Sequence, residues 1–128
     1  MNFNMKALVG AVFAVALLGG AVTEGNSLGS ARTAYVSFSG AVRLPGVTLP
    51  AGTYIFERVD SQSRIDLVRV LSRDRSKTYM MGFTNLVNRP ANMSSKTTVT
   101  LGEAAAGMAP AITAWYPAGE NTGHQFKY

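Results

Sequence analysis

With 128 residues the chain has room for one domain, and its lack of cysteine excludes disulfides, thiolate metal sites, twin-cysteine redox chemistry and lipidation through cysteine. Stability must then come from a packed core, which about 100 residues can supply. The formal net charge of +5 points either to solubility or to an anionic partner.

The first 31 residues read as a signal peptide and flexible lead-in. Lys6 precedes an apolar run over 7–21, and small residues at Gly19 and Ala21, or Gly29 and Ala31, have the spacing of a cleavage site. Cleavage is expected between 21 and 31, leaving 32–128 as one β-domain. Met5 is itself a candidate translation start. A retained membrane anchor is the competing reading, but a span needs about 20 predominantly apolar residues and this run is shorter. Residues 24–30 are rich in Gly, Ser and Asn and suit a flexible lead. Lys6 and Glu24 cancel, so the charge of +5 belongs to 32–128. An exported, periplasmic or extracellular location argues against nucleic acid as a partner.

Residues 33–39 (T-A-Y-V-S-F-S) predict a first strand with Ala34, Val36 and Phe38 inward. The stretch 42–56 organises the rest of the chain. Its short apolar pieces 42–44 and 47–49 are closed by Pro45 and Pro50, each with a glycine within two residues. Proline fixes φ and lacks a donor, so Pro45-Gly46 predicts a type II turn and the prolines exclude a helix. A long strand over 53–59 carries bulk on both faces, as a central strand of a sandwich would. Polar turns at 60–63 and 74–77 then divide off strands at 65–71 and 78–84, making a three-strand meander with Gly82 as a candidate bulge. Residues 88–96 predict loop and 97–101 a half-exposed strand. One helical turn is expected at 103–106, ended by Gly107. Strands at 112–116 and 124–128 close the chain. The fold expected is all-β: a single small sandwich or partly open barrel of about seven to eight antiparallel strands.

Chemistry has few candidates. His124 is the sole imidazole, and Glu103 and Glu120 are the carboxylates expected nearest to it. A His124–Glu103 or His124–Glu120 pair would give a small hydrolase with a general acid and base. Against that, one histidine without a nucleophile elbow reads more simply as a structural residue hydrogen-bonded to a loop. Zinc needs three or four ligands, so neither metal nor cofactor is expected. The densest charge lies at Arg69, Arg73, Arg75 and Lys77, with Arg58 and Arg64 near it. On a meander these side chains could dock an anionic envelope polymer or lipid surface. Equally, basic residues on exposed edge strands prevent edge-to-edge pairing. Of the aromatic residues, Trp115 alternates away from Ile112, Ala114 and Tyr116, which makes it the candidate to stack on carbohydrate from the surface.

The segments 44–56 (L-P-G-V-T-L-P-A-G-T-Y-I-F), 68–74 (V-R-V-L-S-R-D) and 114–126 (A-W-Y-P-A-G-E-N-T-G-H-Q-F) together resemble a group of small exported bacterial β-domain proteins of unassigned function. L-P-A-G-T-Y is also similar to segments of transthyretin-like and other β-sandwich modules. The resemblance covers nearly all of 32–128 and implies a signal peptide followed by a compact β-domain. The leading expectation is therefore a non-enzymatic structural or binding module of the cell envelope. A carbohydrate- or anionic-surface-binding module and a small hydrolase are the alternatives, and another envelope protein is a further candidate partner.

Overall fold

The computed structural model describes residues 32–60 and 64–128. The apolar run over 7–21, the lead over 24–30 and the turn residues 61–63 lie outside them. Among the described residues ten strands form: β1 (Thr33–Phe38), β2 (Val42–Leu44), β3 (Val47–Leu49), β4 (Gly52–Arg58), β5 (Leu67–Ser72), β6 (Thr78–Phe83), β7 (Asn85–Asn88), β8 (Thr98–Leu101), β9 (Ile112–Tyr116) and β10 (Thr122–Gln125). One four-stranded sheet runs β1-β4-β5-β6 and the other β8-β9-β10-β7, every ladder antiparallel, and β2-β3 stands apart as a hairpin. Neither sheet closes into a barrel. The all-β expectation holds, with more and shorter strands than expected.

The hairpin follows from its turn. Gly46 has φ +79°, the value the third position of a type II turn requires, and Val42 pairs with Leu49 across it. Arg43 N–H then donates to Pro110 O at 2.8 Å, tying the hairpin to the lead-in of β9. Val42, Leu44 and Leu49 are thereby added to the core shared by the two sheets.

Alternation builds the rest of that core. Ala34, Val36 and Phe38 of β1 are buried, as are Tyr54 and Phe56 of β4 and Val68 and Val70 of β5. Phe56 lies at the centre, its ring centroid 5.8 Å from Trp115 and 6.4 Å from Phe126, both contributed by the opposite side of the core. Contacts of this kind join the two sheets face to face. Thr84 alone carries the chain from β6 in one sheet to β7 in the other, and it is buried at that crossing.

Several local expectations are corrected. No helical turn forms at 103–106. Instead Met108 N–H donates to Ala105 O and Gly107 has φ +81°, a tight turn within the loop between β8 and β9. The irregularity in β6 falls at Tyr79 rather than Gly82, since Val70 faces Met80 and Leu71 faces Thr78. That displacement turns the Tyr79 ring onto Tyr54, 5.6 Å away edge-on. Strand β7 takes the place of connecting chain, and its pairing with β10 explains it: Asn88, Val87, Leu86 and Asn85 face Thr122 to Gln125 in register. The last strand accordingly begins two residues earlier than expected and ends before Phe126.

On the outer side of the second sheet, Tyr116 lies across Gly123, whose α-carbon allows the ring to approach. A methyl group at that position would overlap the ring, and the ring is a rigid neighbour. Gly123→Ala is therefore expected to cost about 1–3 kcal/mol of stability, the usual range for overpacking. Urea unfolding of the variant checks this; an unchanged midpoint would show that Tyr116 moves freely away.

Candidate functional site

His124 sits in the middle of β10, opposite Trp115 on β9 and Leu86 on β7. It is fully buried. Its Nδ1 lies 3.1 Å from the Thr84 hydroxyl, and that hydroxyl is 2.9 Å from Asp66 O. The hydroxyl accepts from the ring when the imidazole proton is on Nδ1 and donates to Nδ1 when that proton is on Nε2; Asp66 O also receives the Thr84 backbone N–H at 2.8 Å. Nε2 and the Trp115 indole N–H have no hydrogen-bond partner among the described residues. The Trp115 and His124 rings stack at 5.4 Å with 27° between their planes.

Burial in this apolar setting is the main force lowering the His124 pKa, and the Arg58 guanidinium adds to it. Glu120, Asp60 and Asp66 pull the other way without overcoming it. The imidazole is held neutral, with no acceptor to receive a second proton.

Neither expected glutamate pairs with His124. Glu120 instead takes a hydrogen bond from Arg58 Nη1 at 2.6 Å, while Arg58 Nε and Nη2 hold both oxygens of Asp60 at 2.6 and 3.2 Å. Arg58 belongs to β4 and Glu120 to the loop before β10, so this ion pair joins the two sheets. Glu103 is exposed in the loop after β8. What sequence reasoning missed is Thr84, forty residues away in the chain from His124; no local pattern announces that pair.

The basic group resolves into separate parts. Arg69 and Arg75 both bind the Glu57 carboxylate, Arg75 at 2.6 Å, and the Thr33 hydroxyl lies 3.4 Å from it. Burial would raise the Glu57 pKa, but the hydrogen bonds from the two guanidiniums prevail and hold it below the ordinary carboxylate value. Arg75 reaches Glu57 from the β5–β6 turn with φ +66°, a left-handed backbone that costs a non-glycine residue energy. The turn itself is ordered by Asp74, which accepts from the Ser72 hydroxyl and from both the backbone and hydroxyl of Ser76; these bonds push its pKa down to about 2. Lys77 lies over the Tyr79 ring at 5.0 Å. Arg73 and Lys77 are exposed and form no ion pair among the described residues.

Trp115 is not a surface residue. It is fully buried, and a β-bulge is the cause. Val99 faces Trp115 while Leu101 faces Ile112, so two residues of β9 lie where one would, with Thr113 the extra residue. Alternation is thereby shifted, and Ile112 and Trp115 share the inner face. The carbohydrate-stacking role expected of Trp115 is withdrawn on that ground.

No family model, curated protein or solved structure matches the chain.

Protonating His124 would place a charge inside the core, which fixes the sign of its pH dependence. Its folded pKa is below the ordinary 6.5 or so, hence the unfolded chain binds the proton first as pH falls. The stabilisation by neutral His124 is complete above that value and is lost progressively below it, down to the folded pKa. Stability of the wild-type chain should therefore decline with acidification through this window, before the carboxylates of Glu57 and Asp66 titrate, and His124→Phe should remove that part of the decline. Denaturation midpoints from neutral to mildly acidic pH measure it; identical profiles for the two chains would contradict the burial.

Proposed function

We propose that the chain is an exported, non-enzymatic structural or binding module of the bacterial cell envelope. The observation that carries this reading is the engagement of its sole imidazole: His124 is buried between the sheets, its Nδ1 hydrogen-bonded to the Thr84 hydroxyl, away from any substrate that arrives from solvent. Glu120 and Glu57 are engaged by arginines that tie strands together, so neither carboxylate is left to act as an acid or base. Export rests on Lys6, the apolar run after it and the small residues around Ala21 to Ala31. A domain without disulfides gains from such internal ties wherever it works.

A second reading, docking on an anionic envelope polymer, is favoured by the exposed Arg73 and Lys77 on one ordered turn. The salt sensitivity of such a contact separates it from a purely structural role.

Cell fractionation with intact-mass analysis tests both. The expected product begins between Val22 and Arg32 and is found in the periplasm or medium. Retention in the envelope fraction with release by salt would select the polymer-docking reading. A full-length product in cytoplasm or membrane would overturn the proposal.

A further inference from the structure

We propose that the free edge of β6 is a self-association surface, on which a second copy of this chain adds its own β6 antiparallel. Ladder alternation decides which backbone groups that edge offers. Val59 N–H donates to Leu67 O, and Thr84 N–H donates to Asp66 O, each at 2.8 Å. In an antiparallel ladder, hydrogen-bonded and non-hydrogen-bonded pairs alternate. Odd-numbered residues of β5 therefore bond to β4 and even-numbered ones to β6. Val68 and Val70 face Gly82 and Met80, so those two residues of β6 turn their N–H and C=O into the sheet. Met81 and Phe83 turn theirs away from it, and β6 is the outermost strand of its sheet among the described residues.

The same two residues expose the most apolar side chain on the strand, Met81 at 53% and Phe83 at 48%. Segment 78–84, T-Y-M-M-G-F-T, holds neither charge nor proline. Both are devices that keep sheet edges apart, and the irregularity at Tyr79, a third, lies towards the other end of the strand from Met81 and Phe83. The nearby arginines do not substitute for them. Arg69 and Arg75 are bound to Glu57, and Arg64 is paired with Asp66 while lying over the Phe83 ring at 4.3 Å. Edge strand β1 is different: Ala34, Val36 and Phe38 are buried, so it presents no comparable apolar residues.

A second copy satisfies this edge because the edge is self-complementary. A two-fold axis through Gly82 sets Met81 of one protomer opposite Phe83 of the other, twice, with every outward N–H and C=O of these residues paired. Gly82 meets Gly82 at the axis, where the absence of side chains lets the strands approach. Thioether and ring then make a favourable sulfur–aromatic contact on the outer face. An isologous contact of this type closes on itself and gives a dimer.

Sedimentation velocity across a wide range of concentrations tests the proposal on the chain expressed from its full sequence, purified in the form the cell leaves. The expected result is a species of twice the protomer mass at high concentration. Met81→Pro removes an N–H that the dimer uses and the monomer does not, and proline is tolerated where the edge faces outward. It should raise the dimer dissociation constant at least about tenfold, the scale of the backbone bonds lost at both ends of the axis. Phe83→Lys should do the same through its side chain and decides the matter should the proline variant fail to fold. A wild-type chain that stays monomeric throughout overturns the proposal, as does a dimer that survives both substitutions. A monomer that instead binds an uncharged extended peptide at β6 overturns it in favour of a foreign strand.

Discussion

The packing of Trp115 against Phe56 of the facing sheet and His124 of its own is the contact on which the rest of the structure depends. Each ring comes from a different strand, and together with Phe126 and Phe38 they fill the space between the sheets of a chain that has no cysteine to brace it. Truncating a buried aromatic residue typically costs about 3–5 kcal/mol. The bulge at Thr113 is what brings Trp115 to that place. Without the extra residue the indole would stand on the outer face and the core would lack its largest side chain.

The charged residues are arranged around that core as ties between segments distant in sequence. Arg58 joins β4 to the loop before β10, and Arg75 returns from its turn to Glu57 on β4. Arg89 does the same for the loops: it donates to Glu120 O at 2.7 Å and Pro117 O at 2.5 Å, and also to Ser94 O, while its guanidinium lies over the Tyr116 ring. A planar fork of donors suits this use, because one side chain reaches several backbone carbonyls at once. A positive net charge therefore coexists with many engaged cations. Arg73 and Lys77, exposed and outside any ion pair among the described residues, both belong to the β5–β6 turn.

Features set by short-range chemistry were legible in the sequence. Pro45-Gly46 dictates its own turn, the alternation of 33–38 dictates its own inner face, and the three strands of the meander are separated by polar turns. Features set by distant pairing were not. Asn85 to Asn88 has modest strand character of its own and becomes a strand through β10. The bulge that inverts Trp115 is a property of the β8–β9 register, and Thr84 meets His124 only because the chain crosses between sheets at that residue. The free edge of β6 was hidden for the same reason: an uncharged T-Y-M-M-G-F-T segment signals a strand, but only the sheet order reveals that nothing among the described residues pairs with its outer side.

The central claim is that the sole imidazole is a sealed structural group. Because His124 is the only histidine, its ring nitrogens can be followed without assignment by nitrogen-15 NMR during a pH titration. The account predicts a neutral ring at neutral pH that takes up its proton, in the folded protein, only below the ordinary imidazole value of about 6.5. Titration at or above that value in the folded protein would contradict it and leave His124 free to act on a ligand.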